Sequence, residues 1–157
     1  EVESEYTLQT VHVLKRVLEQ HGAKVILTRD ADEYVPLTSR SSLANLENAD
    51  IFLSLHYNST PEHPTATGIG TYYYHDRDQS LAHYVQKGLV ETTGLRDRGV
   101  QQGNLQVLRI NHRPGLLLEL GFISNQEEEN TIQSHIFLKE ASRGIVQGLY
   151  HYFSAVE

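Results

Sequence analysis

Two short apolar runs, each closing on an ionisable side chain, constrain this chain more than any other feature. Residues 49–55 read ADIFLSL and lead straight into His56, and residues 115–118 read GLLL and lead straight into Glu119. Runs of this length that are apolar at consecutive positions suit strands covered on both faces, as in a sheet packed between helices. A third such run, residues 23–28, closes on Arg29.

Helical periodicity separates these runs. Leu8, Val11, Leu14, Val17 and Leu18 recur every three or four residues and predict a helix over 6–20, stopped by His21 and Gly22. Further helices are expected at 37–47, 79–92 and 134–152, with further strands at 68–75 and 106–109. Asn125, followed by Glu127, Glu128 and Glu129, reads as a helix N-cap backed by carboxylates at the positive end of the helix dipole. Strands alternating with helices predict an α/β fold with a mostly parallel central sheet flanked by helices on both faces, in one domain of 157 residues. Ligands bind beyond the carboxyl ends of strands in open sheets of this kind, so Arg29, His56 and Glu119 are expected at one edge.

Charge and composition narrow the chemistry. Thirteen Lys and Arg against twenty Asp and Glu give a net charge of −7, a balance that repels a phosphate backbone and argues against nucleic acid as partner. Without a single Cys, disulfide, zinc-finger and thiol-nucleophile readings all fall away, and nine His with the carboxylates remain as metal ligands. No apolar run approaches the ~18 residues of a membrane-spanning helix.

Each candidate residue has a plain and a chemical reading. His56 is either a hydrogen-bonded structural histidine or a metal ligand held rigidly by a strand. Glu119 is either a strand-terminal residue emerging into water or a carboxyl in a cleft able to carry a proton near a cation. Glu1, Glu3 and Glu5 favour the start of the first helix electrostatically. Arg29 and Arg40 either clamp a substrate carboxylate or pair with Asp30, Asp32 or Glu33, and Arg96, Asp97 and Arg98 carry the same ambiguity. Among Tyr72, Tyr73 and Tyr74 only alternate rings share a face.

Several segments form one joint pattern: Leu27-Thr28-Arg29, Arg40 with Leu43-Ala44-Asn45, residues 49–58 ending in Ser54-Leu55-His56-Tyr57-Asn58, and Gly68 with Thr71-Tyr72-Tyr73-Tyr74. It continues through Arg98-Gly99-Val100, Val107-Leu108-Arg109 and Pro114 with Leu118-Glu119-Leu120-Gly121-Phe122. In this order and spacing the chain resembles the zinc-dependent N-acetylmuramoyl-L-alanine amidases of the amidase 3 family, enzymes of bacterial cell-wall turnover. The resemblance implies one zinc ion held by Glu3, by His56 and by a histidine of a Gly-His-Gly-Gly loop expected upstream of residue 1, so that the domain, residues 1–157, is expected to lack its first strand. It implies Glu119 as the catalytic glutamate. Arg29, Arg40 and Asn58 are expected to bind substrate.

The expected activity is therefore hydrolysis of the amide between N-acetylmuramic acid and the L-alanine of the peptidoglycan stem peptide, outside the cytoplasm, by a monomer that a protein activator or membrane partner could serve. Two alternatives stand beside it: a catalytically silent peptidoglycan-binding homologue with an incomplete metal site, and a zinc carboxypeptidase acting on stem peptides.

Overall fold

Helix α1 (Val2–Gln20) starts a full turn ahead of the apolar repeat that predicts it, which puts Glu3 in its first turn. In this computed structural model, which describes residues 2–27 and 49–156, Val13, Leu14 and Val17 of α1 are buried. The helix ends where expected, at Gln20, and the turn beyond it carries Gly22, whose φ of +87° suits a residue without Cβ.

Four strands follow: β1 (Phe52–Asn58), β2 (Ile69–Tyr73), β3 (Asp97–Gln102) and β4 (Gly115–Phe122). Between them lie α2 (Gln79–Thr93), after a 3-10 turn at Asp76–Asp78, and the single turn α3 (Gln106–Arg109). The chain closes with α4 (Gln126–Ile132) and α5 (His135–Val156). Asn125 caps α4 as expected, its side-chain oxygen accepting from Glu128 N–H at 2.9 Å.

The sheet order is β1-β4-β2-β3. β1 runs parallel to β4 and β2 parallel to β3, but the central β4–β2 pair is antiparallel. The sheet is thus mostly parallel with one reversal, and the reversal brings the starts of β2 and β3 to the edge where β1 and β4 finish. Leu116, Leu118 and Leu120 of β4 face the large core formed with α1, α2 and α5. Leu117 faces the other way, with Phe52, Val107 and Leu108 in a smaller cluster. Backbones touch where α2 meets α5, since a Cβ on Gly88 would sit 2.1 Å from the carbonyl oxygen of Gly144. Among the described residues, no helix is long and apolar enough to cross a membrane.

Three expectations need correction. Residues 106–109 form a helical turn, not a strand: Arg109 N–H bonds to Leu105 C=O at 2.9 Å, and the adjacent apolar pair Val107-Leu108 packs from a short helix as readily as from a strand. Residues 97–102, within and just past the Gly- and Arg-bearing stretch 94–101 for which no element is predicted, are strand β3, whose edge position frees it from needing an apolar pattern. Residues 23–27 are not strand; the expected continuation into Thr28 and Arg29, and the helix at 37–47, lie outside the described residues.

Candidate active site

His56 and Glu119 are not strand-terminal but sit inside β1 and β4, directly opposite one another in the parallel ladder. The apolar runs that mark these strands stop early because the next side chains turn toward a cleft. Even positions of β1, Phe52, Ser54 and His56, share a face with Leu117 and Glu119 of β4, away from the three long helices.

Glu3 reaches this face from the first turn of α1. Its Oε1 lies 3.2 Å from His56 Nδ1 and accepts from the backbone N–H of Tyr57 at 3.3 Å. The hydrogen bond from His56 is the largest influence on the Glu3 carboxyl and holds it below the usual glutamate range, outweighing its partial burial. The other imidazole nitrogen, Nε2, lies 2.9 Å from Ser54 Oγ. In this arrangement Nδ1–H donates to the Glu3 carboxylate and Nε2 accepts from the Ser54 hydroxyl; a proton shifted to Nε2 and donated to Ser54 would free the Nδ1 lone pair for a metal ion shared with Glu3.

Glu119 has the opposite electrostatics. Burial pushes its carboxyl up to about 7; the nearby imidazole of His56 opposes the shift and the carboxylate of Glu3 adds to it. Its Oε2 is buried without a hydrogen-bond partner. A buried unpartnered carboxylate oxygen is costly, and such sites are where a ligand or a reacting group is received.

Glu3 Oε1 and His56 Nδ1 fit a zinc site as two of its donors. Carboxylate and imidazole are both zinc ligands at ~2.0–2.2 Å, and two such donors in tetrahedral arrangement lie ~3.4 Å apart, close to the 3.2 Å observed. The orphaned Glu119 oxygen on the adjoining strand suits a group that acts beside the ion without ligating it. Among the described residues, no cluster of three or more His, Cys, Asp or Glu exists that could complete a ligand set.

Beyond Glu119 the face opens into a cleft of about 240 Å³ lined by Asn58, Gly70, Tyr72, Arg98 and Gln101. Gly70 on β2 stands opposite Glu119, so no side chain interrupts the floor there. Asn58, an expected substrate-binding residue, lines this cleft; Arg29 and Arg40 lie outside the described residues. Arg96 and Arg98 also line the cleft. The sequence left these arginines ambiguous, and Gly99 beside them was the available signal, since glycine within a strand marks a bulge.

Over residues 1–151 the sequence matches the family model described as N-acetylmuramoyl-L-alanine amidase, amidase 3. The chain belongs to this family. It is 40% identical over 154 residues to the probable cell wall amidase LytH of Staphylococcus aureus, covering 98% of this chain and 51% of that protein, so it spans about half the length of the curated relatives it matches. Its fold is similar to that of an N-acetylmuramoyl-L-alanine amidase from Clostridium difficile 630, with a TM-score of 0.93, 34% identity and coverage of 99% and 86% of the two chains. It is similar as well to the CwlD amidase of Clostridioides difficile, solved in complex with the GerS lipoprotein, with a TM-score of 0.91, 26% identity and coverage of 98% and 87%. The amidase 3 family is generally zinc-dependent.

Proposed function

We propose that this chain is the catalytic domain of a zinc-dependent peptidoglycan amidase that hydrolyses the bond between the lactyl group of N-acetylmuramic acid and the L-alanine of the stem peptide. One observation carries the reading: within an amidase family member, the carboxylate of Glu3, the imidazole of His56 and the carboxyl of Glu119, with its unpartnered Oε2, converge on one face of the sheet.

Glu3 and His56 would hold one zinc ion together with a third donor, a histidine by resemblance to the family, from outside residues 2–27 and 49–156. When bound, zinc supplies a Lewis acid that polarises the scissile carbonyl and acidifies water at neutral pH. Glu119 receives the proton of the attacking water on its carboxylate and delivers it to the nitrogen of L-alanine as that amine departs. A half-buried carboxyl whose Oε2 has no hydrogen-bond partner is available for both halves of this task. Ser54 keeps the His56 ring oriented, and the absence of a side chain at Gly70 leaves room beside Glu119 for the substrate backbone.

The likeness to LytH and the substrate both support action outside the cytoplasm, on the wall. The lipoprotein partner of CwlD supports a protein activator or membrane partner for this domain also.

Incubating purified peptidoglycan with the zinc-loaded full-length protein, with a chelator control, tests the reading. Mass spectrometry should find soluble stem peptides with a free N-terminal L-alanine, absent when zinc is chelated. Release of a single terminal amino acid, or no release by a protein that carries zinc and its partner, overturns it.

A further inference from the structure

The cleft beside Glu119 has a cationic wall made by a defect in strand β3. Ile69 pairs with Asp97 and Thr71 with Val100, so two steps along β2 match three along β3. The extra residue is accommodated at Gly99, whose φ is +84°. The bulge decides which side chains face the site. Asp97 and Val100 both point to the helix layer, where the Asp97 carboxylate accepts from Gln86 Nε2 at 2.7 Å and Val100 packs against the large core. Arg98 and Gln101 consequently share the other face with Gly70, Tyr72 and Glu119.

Arg98 is held in place rather than left to wander. Its guanidinium lies over the Phe122 ring, 5.0 Å from the centroid, and its Nη1 donates to Thr67 C=O at 3.1 Å. One of five donors is thus used, and the planar fork keeps N–H groups for an anion. Arg96 stands on the same wall, which the exposed Asp97 also lines. The one carboxylate between them in sequence, Asp97, is committed to Gln86 and to the backbone N–H of Gly99.

Across the sheet the face reads as a row: His56, Glu119, Gly70, then the Arg98–Gly99 pair. Strands lie ~4.8 Å apart, so Arg98 is rooted ~10 Å from Glu119. The carboxyl of the muramoyl group is consumed in the scissile amide and that of L-alanine in the next peptide bond. Where the second stem residue is a glutamate joined onward through its side-chain carboxyl, its α-carboxylate is the first free carboxylate of the substrate, ~7 Å of extended chain beyond the reacting bond. The Arg98 side chain spans the remainder.

Resting on the amidase reading, we infer that Arg98, supported by Arg96, binds the carboxylate of the second stem residue and makes the enzyme discriminate between the free acid and the amide at that position. Peptide lies over Gly70 and β3, and the sugar lies on the His56 side.

The test uses two synthetic N-acetylmuramoyl tetrapeptides that differ only in whether the second residue carries a free α-carboxylate or a carboxamide. The zinc-loaded full-length protein is expected to cleave the acid about tenfold more efficiently in kcat/KM, and Arg98→Gln to bring the ratio to about one. Arg98→Lys, which keeps charge without the planar fork, should fall between. In parallel, equilibrium titration with the two free tetrapeptides should show tighter binding of the acid, lost in Arg98→Gln. Equal handling of acid and amide by the wild type, or a ratio unmoved by Arg98→Gln, overturns the inference. Failure to cleave either substrate counts against the amidase reading instead, and the peptide titration then decides the role of Arg98 by itself.

Discussion

Ser54 and His56 stand two residues apart on β1, with Ser54 Oγ 2.9 Å from the Nε2 atom of the imidazole. This bond helps hold the ring with Nδ1 toward Glu3, and where His56 ligates zinc as proposed, a group that orients it in this way is worth about 10- to 100-fold in metal affinity. Ser54→Ala is expected to weaken zinc binding by that factor while thermal stability changes little, because serine and alanine differ by one atom. Titration against a buffered series of free zinc concentrations measures it; unchanged affinity removes Ser54 from the site.

Glu119→Gln keeps the size of the side chain and removes its ability to accept a proton. Turnover should drop by about 10²- to 10⁴-fold, the usual contribution of a positioned general base. Zinc uptake should be retained, as the proposed donors Glu3 and His56 are untouched. Near-normal turnover by a zinc-loaded variant would mean that another group handles the proton.

Much of this arrangement is legible in the amino-acid sequence. The run 49–55 and the GLLL run specify two buried strands because an uninterrupted apolar sequence has few other stable uses, and the residue ending each run marks where the strand meets the cleft. Local sequence could not give the position of Glu3, which lies in the first turn of a helix and whose contact with His56 depends on how α1 packs on the sheet; the family resemblance supplied it. The cationic wall was harder still. Strand alternation would put residues 98 and 100 on one face, and only the bulge at Gly99 sends Val100 into the core and returns Gln101 to the face of Arg98. Gly99 is the one sign of that shift, and a short polar edge strand carries no apolar alternation that would have shown the glycine to lie within a strand.

Glu128 ties the site to its framework. Its buried carboxylate accepts from Phe122 N–H at 2.8 Å and from Gly68 N–H at 2.9 Å, joining the end of β4 to the start of β2 just where Arg98 rests on Phe122 and Thr67. Glu128→Ala leaves both buried N–H groups unpaired and should cost roughly 2–4 kcal/mol in urea unfolding. Glu128→Gln retains an acceptor oxygen and should recover most of that loss. If the two variants unfold at the same urea concentration, the carboxylate is not holding the strands together.

Asp78 gives the fold a pH dependence that can be isolated from the site. Its side chain is buried between the start of α2 and the start of β4, where Oδ2 accepts from Gly115 N–H at 3.2 Å and Oδ1 lies 3.5 Å from Arg77 Nε without a hydrogen bond. Burial holds the carboxyl above its ordinary value of 3.8, against the opposing pull of Gly115 N–H, Arg77 and His75. A folded state that keeps its proton more tightly than the unfolded chain is stabilised by that proton below pH 3.8, and the stabilisation is lost as pH rises through the folded value. Asp78→Asn keeps an oxygen for Gly115 and never charges. Urea midpoints for wild type and Asp78→Asn should therefore diverge as pH is raised from about 3.5, with the asparagine variant gaining relative stability until the aspartate has fully ionised and the two curves run parallel. Asp78→Ala, which strands the Gly115 N–H, should be less stable by about 1–3 kcal/mol wherever the aspartate is protonated. A difference between wild type and Asp78→Asn that stays constant from acid to neutral pH would show that Asp78 ionises in the folded protein as it does in the unfolded chain.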